Sequence, residues 1–328
     1  MPSPAEPGAE DQDVFTGTDW SLFIAIACIW GSSFLLIDLS LEGLTPGMVT
    51  LARVGSGAAT LLVLRALGSR SRSRTPTHTG TPGQAPTHIA AEDRARVIAV
   101  SLIWVAMPFA LFPMAQEFIN SALTGLLNGA TPIFVALVAA VMTGSRPRGA
   151  LLFGLALGFV GVVVLSLPSL SEGSSEARGV LMVLAATVCY GVAMNLATPL
   201  QRRYGAVTLM TPILCLATVL LIPVGLRNWG DNTWEMTAVL PVLLLGIVGT
   251  GLAYWIMATL VGRAGAVRAS FITYLIPVVS LILGVVLRGD TVAGLSLVGA
   301  FLTTVGALLA SGRVRLPSRD SERDQALV

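Results

Sequence analysis

Arg53 is the basic residue that lies deepest within an apolar stretch of this 328-residue chain. It follows the start of its stretch by about seven residues, roughly 10 Å along a helix, so its side chain cannot easily reach water. Asp38, Glu42 and Glu117 end neighbouring apolar stretches and are its candidate charge partners. We expect either an ion pair that locks helices together or direct contact of the guanidinium group with an anionic substrate.

Polar and aromatic side chains inside the other apolar stretches are the remaining candidates for a substrate pathway. The predicted pathway residues are Trp30, Ser33, Gln116, Asn128, Thr131, Tyr190, Asn195, Tyr254, Trp255, Thr273 and Tyr274, with Ser32, Thr250, Ser270 and Ser280 as further candidates. The alternative is that these side chains join helices through hydrogen bonds. Pro132 and Pro277 lie in mid-stretch, where a missing backbone hydrogen bond permits a kink, so they are either hinges or inherited bends.

Motifs of enzyme chemistry do not occur in these stretches. The sequence contains no GxxxxGK[ST] phosphate loop, no HExxH zinc motif and no GxSxG nucleophile motif, so we expect neither an enzyme nor a bound cofactor. Cys28, Cys189 and Cys215 lack CxxC or histidine neighbours, which argues against a disulfide framework or a metal site. His78 and His88 stand in a polar segment, where we expect them to be solvated rather than to bind metal or sense pH.

The composition indicates that these residues lie in a membrane. Hydrophobic residues make up 54% of the chain and charged residues 12%, against about 25% charged residues in an ordinary soluble domain. The formal net charge of +2 gives no reason to expect a nucleic-acid partner. Ten stretches are long and apolar enough to cross a bilayer as helices. These predicted spans are 20–40, 46–67, 97–117, 120–143, 148–168, 178–199, 206–226, 237–260, 265–287 and 291–311.

The distribution of arginine predicts the orientation of the spans. Sixteen of the 20 basic residues fall on the side of the two termini, and three, Arg178, Arg227 and Arg288, fall on the opposite side. Because cytoplasmic loops retain positive charge, we expect a multi-pass protein of the cytoplasmic membrane with both termini in the cytoplasm.

Three segments outside the spans are predicted to lie in the cytoplasm. They are an N-terminal tail at 1–19, a C-terminal tail at 312–328 and a loop at 68–95. The loop is polar and rich in Pro, Ser and Thr, so it cannot bury enough apolar surface to fold and is predicted to be disordered.

The sequence also contains an internal duplication. Residues 121–166 align without a gap to 266–311 at an offset of 145, which pairs Pro132 with Pro277. Each half holds five predicted spans, and this odd number turns the second copy upside down relative to the first. Inverted repeats enclose a substrate site near the midplane of the membrane, and rocking of one half exposes the site to each side in turn.

The predicted fold is therefore an all-α integral membrane protein with ten transmembrane helices. The helices form two inverted five-helix repeats, at 20–168 and 178–311, and the predicted mechanism is alternating access.

Five segments together resemble the EamA family of the drug/metabolite transporter superfamily. They are IWGSSFLLI at 29–37, LTPGMVTLARV at 44–54, NGATPIFVALVAAVMTG at 128–144, GLALGFVGVVVL at 154–165 and TYLIPVVSLILGVVLRGD at 273–290. The resemblance implies a secondary carrier, often an exporter of amino acids, other metabolites or drugs. This chain departs from the family pattern at Ser145, where the family usually places Glu. The corresponding position in the second half is Asp290.

We predict a secondary transporter that moves a small organic metabolite, such as an amino acid, out of the cell. The alternatives are a multidrug efflux carrier and, from another class, a membrane scaffold that transports nothing. The expected partners are the small-molecule substrate and the lipid bilayer. Rows of glycine on the fifth and tenth spans predict close packing within one chain, with a homodimer interface as the alternative. These glycines are Gly154, Gly158, Gly161, Gly294, Gly299 and Gly306.

Overall fold

The structure, a computed structural model, describes residues 16–72 and 88–311. Within these ranges the chain is helical and contains no β-strand, which confirms the predicted all-α class. Most of the predicted tails and loop, with His78, lie outside the described residues. The predicted loop is helical at both of its ends, because one helix continues to Arg72 and the next helical turn begins at Ala91.

Ten apolar helical segments follow one another along the described ranges, and we number them α1 to α10. Eight of them are long and apolar enough to cross a membrane, and the last two are shorter apolar helices. The segments are α1 (Gly17–Leu41), α2 (Pro46–Arg72), α3 (Ala91–Gln116), α4 (Ser121–Met142), α5 (Gly149–Glu172), α6 (Ser174–Tyr204), α7 (Ala206–Leu226), α8 (Met236–Ala264), α9 (Ile272–Arg288) and α10 (Gly294–Ala310). The ten predicted spans thus correspond to eight full-length candidates and two short ones.

Four of these helices have an irregular backbone in their interior. α1 breaks at Ser32, and α4 breaks at 129–130, immediately before Thr131 and a proline that has no N–H to donate. α3 and α8 each contain a π-helical segment, at Ser101–Ala106 and Ile247–Leu252. A third π-helical segment, Gly284–Arg288, ends α9. The segments of α3 and α8 are separated by almost the same offset as the duplicated sequence. Such segments occur often at functional sites, and here they occur at matching positions of the two halves.

The helices pair in a pattern that repeats between the two halves. α2 packs on the π-helical segment of α8, and α7 packs on the π-helical segment of α3. In the same way α1 packs against α9 and α8, while α6 packs against α4 and α3. α2 and α7 meet each other, as do α5 and α10. These contacts between a helix of one half and a helix of the other therefore recur with the halves exchanged.

Five of the six glycines in the rows on α5 and α10 lie where these helices pack against each other within one chain; the exception is Gly294, at the start of α10, which has open space around it. A side chain at Gly161 would collide with Thr303, and one at Gly299 would collide with the backbone of Leu165. Gly306 lies in the same way against Gly158. Small residues let two helix backbones approach closely in a membrane protein, which is the packing predicted for these rows. 

The outward faces of the helices expose large apolar side chains. Val141 of α4, Leu181 of α6 and Phe301 of α10 each leave more than half of their surface uncovered within the chain. In water such a surface would be a strong liability, whereas lipid solvates it well. The structure therefore agrees with the expected bilayer partner.

Candidate functional site

Arg53 lies in the interior of the bundle, with 7% of its surface exposed. Its Nε donates a hydrogen bond to Oγ1 of Thr250, at 3.3 Å, in the π-helical segment of α8. The guanidinium carbon lies 3.9 Å from the ring centroid of Phe109 on α3, a cation–π contact. Tyr190 and Tyr254 are close enough to interact with the charge. Four helices therefore converge on this cation.

The expectation that Asp38, Glu42 or Glu117 pairs with Arg53 is wrong. Nε of Arg288 lies 2.6 Å from Oδ2 of Asp38, and its Nη1 lies 2.7 Å from Oε1 of Glu42. Glu117 is exposed and makes no ion pair among the described residues. The physical reason is depth: the three acids lie at or near helix ends, as Arg288 does, whereas Arg53 lies about two helical turns inside α2.

Contacts between aromatic rings extend from the neighbourhood of Arg53 across the bundle. The ring of Phe112 lies 5.4 Å from the ring of Phe34 and 6.0 Å from the ring of Tyr190, measured between centroids. The ring of Trp30 meets that of Tyr254 edge-on at 6.1 Å. We call these five residues, with Phe109, the aromatic cluster. Its faces and edges are suited to an apolar or cationic part of a small molecule.

A proline on α3 leaves the carbonyl of Phe109, whose ring lies on Arg53, without its helical hydrogen bond. Pro113 has no N–H, so it cannot donate to the carbonyl of Phe109 four residues earlier. Oγ1 of Thr50, one turn before Arg53 on α2, lies 2.8 Å from the carbonyl oxygen of Pro46 on its own helix and 3.1 Å from that of Phe109, so its single proton is shared between the two acceptors. Thr50 thereby holds α2 and α3 together at the level of the cation–π contact.

Gln116 also lies in the interior, at the end of α3. It is 8% exposed, and neither its amide nitrogen nor its amide oxygen has a hydrogen-bond partner among the described residues. Most other buried polar side chains of the described chain do have partners, so Gln116 is an exception.

The other predicted pathway residues fall into three groups. Ser33 lies beside Gly249 in the π-helical segment of α8, next to Thr250, and so belongs to the surroundings of Arg53. Asn195 donates from Nδ2 to the carbonyl oxygens of Val135 and Gly191, and so joins α6 to α4. Tyr274 likewise joins α9 to α10 through the carbonyl of Ala307. Trp255 and Thr273 are half-buried.

Asn128 and Thr131 lie on either side of the break in α4, beside the two predicted hinges. The hydroxyl of Thr131 donates to the carbonyl of Asn128 at 2.8 Å, which replaces the bond that Pro132 cannot make. A side chain at Gly129 would collide with the ring of Pro277. Pro277 of α9 therefore lies against the break in α4.

Asp290 anchors the loop between α9 and α10 to the start of α4. Its Oδ2 accepts hydrogen bonds from Oγ of Ser121, at 2.7 Å, and from the backbone N–H of Ala122, at 2.9 Å. A carboxylate at a helix N-terminus compensates the helix dipole. Ser145, its counterpart in the first half, bonds instead to its neighbour Thr143 and the nearby carbonyl of Ala140. The departure seen in the sequence therefore makes the two halves unequal.

Polar contacts join helix ends on two opposite faces of the bundle. On one face Arg263 pairs with Asp19 at 2.6 Å, and Arg203 pairs with Asp93 at 2.9 Å. On the other face are the pairs of Arg288 and the anchor of Asp290. If ten helices cross the bundle alternately up and down, the two helix ends joined by each of these contacts lie on the same face.

No metal site is found in the described part of the chain, where no three His, Cys, Asp or Glu side chains are grouped closely enough to hold an ion. The site consists of one buried cation, hydroxyl groups, aromatic rings and an amide.

Sequence reasoning alone did not identify the roles of Phe109, Phe112 and Thr50. The spacing of Phe109, Phe112 and Gln116 on one face of α3 was a usable signal, as was the proline four residues after Phe109. The π-helical segments gave no comparable signal in the sequence.

A family model of EamA-like transporters matches this chain twice, at 20–167 and 177–312. The two matched ranges follow one another along the chain.

Several curated proteins are similar to this chain along most of its length. A probable amino-acid metabolite efflux pump of Salmonella typhimurium is 25% identical over 88% of this chain and 93% of its own length. A probable terminal-alkyne amino-acid exporter of Streptantibioticus cattleyicolor is 24% identical over 90% of this chain and 93% of its own. An uncharacterized transporter of Archaeoglobus fulgidus is 23% identical over 88% of this chain and 96% of its own length.

Solved structures with a similar fold include the following one. It aligns with a TM-score of 0.57 and 21% sequence identity, over 91% of this chain and 98% of its own. Likeness at this level of identity supports the arrangement of helices and carries no information on the substrate.

Proposed function

The chain belongs to the EamA-like transporter family and is a multi-pass membrane protein, and from this premise we propose that it exports a small carboxylate-bearing metabolite, such as an amino acid, as a secondary carrier. The names of two relatives, an amino-acid metabolite efflux pump and an amino-acid exporter, support the substrate class and the direction. Because the sequence has no nucleotide-binding loop, we assign the driving force to gradients.

The observation that carries the proposal is a buried cation without an anion. The buried carboxylates of the described residues, Asp19 and Asp93, both lie at helix ends and pair there with arginine. Arg53 makes a single hydrogen bond, to the neutral Thr250, and has no acidic partner within the described ranges. A charge inside a membrane protein costs about 2.5–3.5 kcal/mol on insertion scales, and such residues mark substrate pathways. A substrate carboxylate would supply the missing partner.

The aromatic cluster suits the rest of such a substrate. An amino acid brings an ammonium group as well as a carboxylate, and the interior offers no free carboxylate among the described residues. The rings of Trp30, Tyr190 and Tyr254 offer cation–π contacts in its place, and the phenylalanine rings offer an apolar surface.

We propose alternating access between two inverted repeats as the mechanism. Three observations support it: the family model matches twice in succession, the π-helical segments occupy corresponding positions, and helix contacts recur with the halves exchanged. Irregular backbone at the midplane is typical of binding sites in such carriers. One chain contains both halves, so we propose the monomer as the functional unit.

The carboxylate requirement is tested by ligand-induced thermal stabilisation of the purified protein. We expect at least one member of a panel of the 20 amino acids to raise the melting temperature, and we expect its methyl ester to raise it far less. Equal stabilisation by acids and esters would contradict the proposal and point to a multidrug efflux carrier.

We further propose that the face with Arg203 and Arg263 is cytoplasmic, because 16 of the 20 basic residues belong to segments predicted on that side of the membrane. In a background without the native cysteines, a cysteine at Asp231, which is exposed, should react with an impermeant maleimide in intact cells. A cysteine at the exposed His88 should react only after the membrane is opened. The reverse pattern would overturn the orientation.

A further inference from the structure

Gln116 carries an amide that the folded chain leaves unsatisfied. More than nine-tenths of the residue is buried, and both polar atoms of its side chain are fully covered and without a partner among the described residues. Burial of an amide without a hydrogen bond costs about 1–3 kcal/mol in protein mutational data. A leucine at this position would avoid that cost, so stability does not explain the glutamine.

Other amides of the chain show what a structural role looks like. Asn195 donates to two backbone carbonyls on different helices, at 3.0 and 2.8 Å. Asn232 accepts a hydrogen bond from the backbone N–H of Thr45 and donates to the carbonyl of Trp229. Both hold segments together through several bonds, and Gln116 does not.

The position of Gln116 on α3 relates it to Arg53. Phe109, Phe112 and Gln116 are three and seven residues apart, so they share one face of the helix. Phe109 lies under the guanidinium group, and Phe112 contacts the rings of Phe34 and Tyr190. Gln116 therefore lies one turn beyond the aromatic cluster and about 10 Å from the level of Phe109.

We propose that Gln116 is a specificity-determining residue, which binds a hydrogen-bonding group at the far end of the substrate from the carboxylate. The inference rests on the proposed function, because it assigns the carboxylate to Arg53. It deepens that function by naming the substrate class: an elongated carboxylate whose chain passes the aromatic cluster and ends in an amide, urea or hydroxyl group.

The test uses two pairs of amino acids matched in chain length. L-glutamine and L-norleucine form one pair, and L-citrulline and L-2-aminooctanoate form the other; in each pair only the first has a polar end. Affinities come from thermal-shift titrations of the purified full-length protein. We expect the wild type to prefer the polar member of at least one pair by about tenfold, since a buried amide rejects an apolar group.

Gln116→Leu should abolish this preference and leave the melting temperature equal to or above that of the wild type, since it removes an unsatisfied group. Asn195→Leu is the matched control: it breaks two hydrogen bonds and should lower the melting temperature. The inference is overturned if Gln116→Leu loses as much stability as Asn195→Leu, or if the wild type and Gln116→Leu rank both pairs identically.

A further variant separates this inference from the proposed function. Arg53→Met should lose affinity for all four amino acids. If Arg53→Met binds them as the wild type does, the proposed function fails, whatever Gln116 does. If Arg53→Met fails to bind and Gln116→Leu keeps the wild-type preference, only the inference about Gln116 fails.

Discussion

Arg53→Met is expected to weaken substrate binding by roughly 10- to 150-fold without loss of thermal stability. Methionine fills a similar apolar volume above Phe109, and it leaves Thr250 satisfied, because the hydroxyl of Thr250 also donates to the carbonyl of Leu245 at 3.1 Å. No acid in the described chain loses a partner. Hydrogen bonds to a charged group contribute about 1.5–3 kcal/mol, which corresponds to roughly 10- to 150-fold in affinity.

Arg53→Lys separates the charge of the side chain from its shape. Lysine keeps the positive charge but loses the planar guanidinium group that lies on Phe109 and donates to Thr250. We expect normal stability and an affinity weakened roughly tenfold, about 1.4 kcal/mol. Thr211, the counterpart of Arg53 in the second half, is also buried, and its hydroxyl donates to the carbonyl of Val207. Thr211→Val is the matched control and should change affinity little.

These variants are measured by ligand titration and by thermal unfolding of the purified proteins. Normal affinity in Arg53→Met and Arg53→Lys, together with a lowered melting temperature in both, would show that Arg53 has an architectural role. The substrate carboxylate would then have to bind elsewhere.

Gly299→Ala is expected to prevent normal folding. A methyl group at Gly299 would fall on the backbone of Leu165 on α5. Backbone atoms cannot turn aside as a flexible side chain can, so α5 and α10 would have to separate. Their separation would also weaken the hydrogen bond from Oγ of Ser296 to the carbonyl of Leu165. Overpacking costs about 1–3 kcal/mol and occasionally more, and we expect the upper end of this range.

Gly294→Ala is the matched control for Gly299→Ala. A methyl group at Gly294, at the start of the same helix, would have no atom within 4 Å. Alanine favours a helix over glycine by about 1 kcal/mol, so Gly294→Ala should be neutral or slightly stabilising. Yield and elution profile in detergent, with the melting temperature, measure both variants. Equal behaviour of the two would contradict the proposed close packing of α5 and α10.

The sequence was sufficient to predict those features that depend on one helix at a time. Hydropathy identified the ten apolar segments, and the depth of Arg53 in its segment predicted a buried cation. The two short helices, α9 and α10, were not distinguished from the others. α9 is short because a turn at 270–271 separates it from the helical turn at Ala266–Ala269, and hydropathy does not register such a turn.

Features that depend on how two helices are aligned could not be predicted in this way. Asp38 and Glu42 are predicted to lie on the same side of the membrane as the start of α2, which made them natural partners for Arg53. The alignment of α1 with α9 places Arg288 beside them instead. The ring of Phe109 under Arg53 and the bond from Thr50 to its carbonyl depend on the alignment of α2 with α3. The amide of Gln116 has no hydrogen-bond partner among the described residues, and this depends on every residue that packs around it.

The central proposal, that the chain carries a carboxylate-bearing metabolite across the membrane through the site at Arg53, is tested most directly by counterflow in proteoliposomes. Vesicles are loaded with an unlabelled amino acid that stabilises the protein, and uptake of the same labelled amino acid is followed over time. We predict transient accumulation with the wild type and only the leak of empty vesicles with Arg53→Met at equal protein density. Accumulation by Arg53→Met at the wild-type rate, or no accumulation by the wild type with any amino acid that binds, would contradict the proposal.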